Sequence, residues 1–390
     1  MIRSTDRILT THTGSLPRPS DLIEMLEARE EGRSYDPAAL DARIREAVAE
    51  VVRKQVEAGV DVVSDGEQGK PYYSTYIKNR VRGFDGEQTK VVRPSGDERE
   101  FPEFVARWAA TSSKIIKRPS CTGPIEWRDF AAVEHDINNF KAAVTAAKPV
   151  DAFMSAASPG VIAHFLGNDY YPTEDAYLEA LAGIMRKEYE AIVEAGFVLQ
   201  LDCPDLAMSR STEHIDLSLE AFLKIAQRHV EVLNEATKNI PAERMRIHLC
   251  WGNYEGPHLH DVPIKDILDV VFTARAAAIS FEGANPRHEH EWAVWKEVKL
   301  PDGKAIIPGV LDSTNNFIEH PQLIAQRLVR YAELVGRENV MAGSDCGFAT
   351  DAARKVVDPK IVWAKLHAMA EGAAIASDQL WARKKQVANL

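Results

Sequence analysis

The sequence predicts an α/β protein, a (β/α)8 TIM barrel with an insertion after its second strand. Three observations carry this expectation. Short apolar runs alternate with longer helical patterns, the signature of parallel α/β architecture. Three helix-to-strand junctions, at Gly59, Gly196 and Gly336, place a glycine just past the helix, where positive φ costs it little. Eight of the apolar runs also carry a polar or metal-ligating residue at the C-terminal end, the face on which such barrels build their sites. No Gly-rich dinucleotide fingerprint follows any of them, which disfavours a doubly wound sheet.

In chain order the strand candidates are Ile8–Thr13, Val60–Ser64, Lys114–Lys117, Ala152–Ala157, Phe197–Leu201, Met245–Leu249, Ala277–Phe281, Ala305–Leu311 and Val340–Gly343. Before the second lies a helix, Pro37 to Ala58, with Ile44, Val48, Val52 and Val56 at i, i+4 spacing and therefore a core-facing stripe. The run Lys114–Lys117 is the extra one. It falls in a Pro-, Gly- and charge-rich region without βα rhythm, so residues 72–127 are expected to be a loop and β-hairpin elaboration within one barrel spanning 1–390. The remaining strands end at Ser15, Glu67, Ser158, Asp202, Cys250, Glu282, Asp312 and Cys346.

The chain has 390 residues, 45% hydrophobic, ample for a large core. No apolar run has bilayer length, and the N-terminus lacks a signal-peptide h-region, so a cytoplasmic protein without a membrane role is expected. A net charge of −11 with no long basic tract argues against a nucleic-acid surface. The four cysteines, Cys121, Cys203, Cys250 and Cys346, are too scattered for a disulfide framework.

Cys250 belongs to the most informative stretch, Met245-Arg-Ile-His-Leu-Cys-Trp-Gly-Asn253. Strand side chains alternate faces, so His248 and Cys250 point the same way. With Glu282 and Cys346 they offer a borderline-soft ligand set that suits zinc. The bland reading of each is real, since a buried Cys usually acts as a small hydrophobe. An unpaired Glu ending an apolar strand is harder to dismiss. Ligands dispersed over about a hundred residues on a rigid scaffold point to a functional site rather than a folding clip. Two thiolates and a carboxylate already neutralise the ion, so an incoming thiolate would keep its electron density. The set therefore favours thiol activation over water activation.

Acidic and hydroxyl residues share the same face. Thr13-Gly-Ser15, Asp65-Gly-Glu67 and Asp202-Cys-Pro-Asp205 each suit an ordinary turn or cap. Together they predict a carboxylate-rich pocket for a cationic or polar substrate. Tyr72, Tyr73, Trp251, Tyr254 and Trp292 lie near the strand ends, as do His12, His258, His260, His288 and His290; packing is the commoner role for each. Cys203 and Cys121 are expected to be structural.

These motifs, in this order, resemble the C-terminal catalytic barrel of cobalamin-independent methionine synthase. Thr13-Gly-Ser15 resembles I-G-S, Asp65-Gly-Glu67 H-G-E, Gln200-Leu-Asp-Cys-Pro204 Q-I-D-E-P, His248-Leu-Cys250 the H-x-C zinc pair, Ser280-Phe-Glu282 the third ligand, and Ser344-Asp-Cys-Gly347 P-D-C-G. The resemblance implies zinc held by His248, Cys250, Glu282 and Cys346. It implies the amino-acid part of homocysteine held by Thr13, Ser15, Glu67 and Asp202, and methyl transfer from a methyl-folate donor to give methionine. One departure stands out. The family's G-V-Y-D-I-H-S carries a proton-relaying His, but Gly309-Val-Leu-Asp312-Ser-Thr314-Asn places Thr314 there, leaving Asp312 and Thr314 as the catalytic candidates. The phrase Asp312 to Pro321 is also similar to single-barrel relatives such as epoxyalkane:coenzyme M transferase. A uroporphyrinogen-decarboxylase-like enzyme on the same fold, and a metal-storage or thiol-binding protein, are the remaining readings. The expected partners are a small-molecule thiol and an alkyl donor; a homo-oligomer is left open.

Overall fold

A computed structural model describes residues 1–90, 92–110 and 117–387. Eight parallel strands form one continuous ladder: β1 (Leu9–Thr10), β2 (Val62–Val63), β5 (Asp151–Ala157), β6 (Val198–Asp202), β7 (Met245–His248), β8 (Ala278–Phe281), β9 (Ala305–Leu311) and β10 (Met341–Ser344). Two further short strands, β3 (Val81–Arg82) and β4 (Glu126–Trp127), pair antiparallel between β2 and β5. The ladder runs β1-β10-β9-β8-β7-β6-β5-β2, so the strands wrap into a nearly closed (β/α)8 barrel.

Its seam lies between β1 and β2, and backbone and side-chain bonds together bridge it. Asp61 N–H donates to Thr10 O at 3.1 Å, Thr10 N–H donates to the Asp61 carboxylate at 2.9 Å, and Thr11 Oγ1 donates to Val62 O at 2.9 Å. This explains why the first two strands are much shorter than their apolar runs, Ile8–Thr13 and Val60–Ser64. Some of their flanking backbone groups bond to side chains instead, as Ser64 N–H does to Gln55 Oε1 at 2.8 Å. The strand expected at Lys114–Lys117 falls on residues 111–116, outside the described residues, apart from Lys117, which is in no regular element.

Alternation along the strands assigns each residue a side. In β6, Leu199 and Leu201 pack outward with the helical shell, while Val198 packs inside. Gln200 and Asp202 share the phase of Val198. The lower interior is an apolar plug of Leu9, Val62, Phe153, Val198, Ala278, Ala305, Ile307 and Met341, drawn from seven strands. Above it sits a buried Arg246. Its guanidinium lies 3.5 Å from the Phe153 ring centroid and donates to Gln200 Oε1, Thr11 Oγ1 and His12 O at 2.8, 3.0 and 2.8 Å. The interior therefore turns polar towards the C-terminal ends.

The helices behave as their periodicity requires. Pro37–Glu57 starts on an Asp36 side-chain cap and buries Ile44, Val48 and Val52. Gly59, Gly196 and Gly336 do adopt positive φ, at 82°, 98° and 88°. No helix among the described residues is long and apolar enough to cross a membrane. The last long helix, Pro359–Val387, carries a fully buried Lys365 whose Nζ meets both Glu319 oxygens at 3.0 and 2.9 Å. Glu319 Oε1 also accepts Asp312 N–H at 2.9 Å, so the pair ties this helix to the loop leaving β9. Removing one partner leaves a buried uncompensated charge. Lys365→Met is expected to lower the unfolding free energy by about 3–5 kcal/mol in chemical denaturation, with partial recovery in the Lys365→Met/Glu319→Gln double variant.

Candidate metal centre

Three strand ends converge at the mouth of the barrel. His248 ends β7, and Cys250 follows it by two residues on the same face. Glu282 follows β8, and Cys346 follows β10 after a register shift between Gly343 and Ser344. The ligand atoms of His248, Cys250 and Cys346 all lie within 4.8 Å of one another. Cys250 Sγ and Cys346 Sγ are 3.0 Å apart as free thiols, and His248 Nε2 is 3.7 Å from Cys346 Sγ. Glu282 stands beside this triad rather than within it. Its Oε1 is 3.6 Å from Cys346 Sγ but also accepts Trp251 N–H at 2.9 Å, and its Oε2 accepts Asn285 Nδ2 at 2.7 Å.

The donor set fits a divalent metal. His248 is nearly inaccessible and its Nδ1 has no hydrogen-bond partner. Burial, then the Arg246 charge, lowers the imidazole to about 3, so the ring is neutral and has a lone pair to give. Burial, reinforced by Cys250 and Glu282, holds the Cys346 thiol well above its usual range. A cation would reverse that penalty, because it favours the thiolate outright.

Asp345, next to Cys346, sets the geometry. Its Oδ1 accepts Gly283 and Ala284 N–H at 2.8 Å each, and its Oδ2 accepts Asn285 N–H at 2.8 Å and Asn285 Nδ2 at 3.0 Å. This carboxylate thus clamps the loop that carries Glu282 to the loop that carries Cys346. Gly309 makes room for it, since a Cβ there would lie 1.9 Å from Asp345 Oδ1.

A cavity adjoins the triad, lined by Thr13, Ser15, Glu67, Tyr72, Tyr73 and Asp202 together with His248, Cys250 and Cys346. Glu67 holds positive φ (56°) in the Asp-Gly-Glu turn, an uncommon conformation for a residue with a side chain. One of its oxygens accepts Ser155 Oγ at 2.6 Å, while the other is buried without a partner. Burial and the Glu67 charge together push the Asp202 carboxyl upward. Two buried carboxyl groups thus wall the cavity, and no Lys or Arg is among its described lining residues. Thr13 is less free, as its hydroxyl donates to Ser344 O at 3.0 Å.

Asp312 and Thr314 lie off the cavity wall. Thr314 Oγ1 donates to Asp312 Oδ1 at 2.7 Å, and Asn315 Nδ2 donates to Oδ2. The turn so formed delivers Ser313, whose Oγ accepts Cys346 N–H at 3.2 Å. Several supports escaped sequence reasoning because each is a common turn or surface residue type. Besides Ser313 and Asn285 these include Arg18, a buried guanidinium donating to Glu67 O and Lys70 O on one loop and Ala349 O on another. Several other sequence candidates make hydrogen bonds or ring contacts away from the triad. His12 bonds to Gln55 at 2.7 Å, His288 bridges Asp261 and Glu291, Trp251 is buried and donates to Val262 O, and Trp292 meets Lys296. Cys203 and Cys121 donate to Leu201 O and Gly123 O.

Residues 8–374 match the family model described as cobalamin-independent synthase, catalytic domain. The chain belongs to that family. It is similar to methionine synthases of Saccharolobus solfataricus (25% identical over 374 residues, 95% of each chain) and Thermococcus kodakarensis (25% over 374 residues, 95% and 94%). Among solved structures, the B12-independent methionine synthase of Shewanella sp. W3-18-1 in complex with selenomethionine superposes with a TM-score of 0.73. That match is at 19% identity over 96% of this chain and 99% of the other. A family member of this type is a methyltransferase-like enzyme on a TIM barrel.

If the triad holds the metal, Cys250→Ser and Cys346→Ser will each lose the bound ion on dialysis, as read by elemental analysis; full retention in both rejects these ligands. Asp345→Ala is expected to weaken metal affinity by about 10–100-fold in a competitive chelator titration, since it orients Glu282 and Cys346 without touching the ion.

Proposed function

We propose that this chain is a zinc-dependent thiol alkyltransferase whose reaction is methyl transfer from a methyl-folate donor to homocysteine, giving methionine. The carrying observation is the buried His248–Cys250–Cys346 cluster opening onto a cavity walled by Glu67 and Asp202. His248, Cys250 and Cys346 would hold the ion, with Glu282 as the fourth, more loosely placed ligand. When bound, zinc would keep the acceptor sulfur as a nucleophilic thiolate at neutral pH. The substrate ammonium would sit against Asp202 and the unpartnered Glu67 oxygen, with Thr13 and Ser15 completing the wall. Asp312 and Thr314 act by closing the turn that seats Ser313 against Cys346. The whole of 1–390 would serve as one barrel, with 72–127 an elaboration inserted after its second strand. Four free cysteines fit a reducing cytoplasm.

The acceptor is where the alternatives separate. Coenzyme M carries a sulfonate, which needs a cationic partner, and the described lining residues include the carboxyl groups of Glu67 and Asp202 but no Lys or Arg. This supports an amino thiol over the epoxyalkane:coenzyme M type of reaction. The Cys and His cluster likewise supports alkyl transfer over a uroporphyrinogen-decarboxylase-like chemistry, which has no use for it.

The test is a thiol panel on zinc-loaded protein. Homocysteine is expected to alter the zinc-edge absorption and to turn over with the methyl-folate donor, while coenzyme M, cysteine and glutathione do not. A response to coenzyme M alone would reject the homocysteine reading. Chelation should abolish turnover and added zinc restore it. Glu67→Gln should lower kcat/KM for homocysteine by about 10–100-fold through loss of a charged hydrogen bond of about 1.5–3 kcal/mol, with zinc content unchanged.

A further inference from the structure

Two cysteines on separate loops can share an ion only if something fixes the distance between them. β7 ends at His248 and β10 at Ser344, so Cys250 and Cys346 both lie beyond the ends of their strands. Asn253, on the loop that follows Cys250, spans the gap. Its Nδ2 donates to Gly347 O at 2.7 Å and to Thr350 Oγ1 at 3.3 Å. Its Oδ1 accepts Ser313 Oγ at 3.1 Å, and Ser313 Oγ in turn accepts Cys346 N–H at 3.2 Å. One amide therefore holds the main chain on both sides of Cys346, the following carbonyl directly and the N–H of Cys346 through Ser313.

An asparagine in a turn ordinarily bonds its own backbone about two residues on. Asn315, in the turn after β9, does this: its Oδ1 accepts Phe317 N–H at 2.9 Å. Asn253 does not behave that way, since its bonds reach 60, 94 and 97 positions along the chain. Gly252 turns the backbone into this place with a φ of 118°, a conformation a side chain would strain. Asn253 also lines the cavity beside Cys250 and Cys346. The residue type matters as well. A side-chain amide offers a donor and an acceptor on one short stem, whereas a carboxylate of the same size brings no proton to Gly347 O.

We propose that Asn253 is the positioning residue of the thiol pair. By joining the loop after β7 to the loops after β9 and β10, it sets the separation of Cys250 and Cys346 and so governs how tightly they hold a divalent metal. This rests on the metal reading above. Asp345 has a different task, because its carboxylate ties the loop of Glu282 to that of Cys346.

The test compares wild type with Asn253→Asp, which keeps the acceptor for Ser313 and loses the donor to Gly347 O, and with Asn253→Ala, which loses both. Each variant is expected to bind zinc about 10–100-fold more weakly in chelator competition. Each should also alter the visible bands of the Co²⁺-loaded protein, which report how the ligands are arranged around the ion. Ser313 is a link in the same chain, so Asn253→Ala/Ser313→Ala should lose no more affinity than the weaker-binding single variant. An asparagine that only braces the loops would lower the denaturation midpoint of the metal-free protein and leave zinc affinity and the cobalt spectrum as in wild type. That result would overturn the role of Asn253 while the metal reading stands. Should Asn253→Ala fail to fold, Asn253→Asp and Ser313→Ala carry the same comparison. Wild type that takes up neither zinc nor cobalt at the triad would overturn the metal reading and this role with it.

Discussion

Parallel register at the C-terminal ends of β6, β7 and β8 is the constraint on which the site depends. Asp202 pairs level with His248, and His248 with Ser280. Because side chains alternate, Cys250 and Glu282, each two residues further on, emerge on the same inward face. A slip of one residue in any of these strands would send a ligand into the helical shell. The apolar plug below and the outward-facing Leu199, Leu201, Ile247, Ile279 and Phe281 oppose such a slip.

Register alone sets only the level of the ligands. Their final positions come from loops, where backbone groups need partners that the ladder does not supply. Asp345 meets that need for the loop after β8, Ser313 for Cys346, and Arg18 for the loops after β2 and β10. Each support is a buried, hydrogen-bonded polar group, so it rigidifies the site at the cost of desolvation. Burial beside Glu282 keeps Cys250 and Cys346 as neutral thiols, and their thiolate forms would be unfavourable there without a cation. The unpartnered oxygen of Glu67 is a second buried polar group without a partner of its own.

Much of this was legible in the linear chain. His248-x-Cys250, Glu282 and Cys346 stand out because good metal ligands at the ends of apolar runs are unusual, and the three capping glycines announce the βα repeat. Less could be read of Glu282, which the structure sets beside the triad through its bonds to Trp251 and Asn285. The supports could not be read at all. Ser313, Asn285 and Arg18 are residue types found in any turn, and their bonds to Cys346, to Asp345, and to Glu67 and Ala349 span tens to hundreds of positions.

The amino-acid sequence by itself determined which residues are periodic, which can bind a metal and which strand each ligand ends, because those properties belong to local chemistry and the two-residue repeat of a strand. Tertiary structure alone decided that Thr314 turns to Asp312, that Tyr72 and Tyr73 line the cavity beside the cysteines, and that no Lys or Arg is among its described lining residues. Those outcomes depend on how loops of different strands fold over one another at the barrel mouth. No local rule encodes a side chain's direction once its backbone has left the ladder.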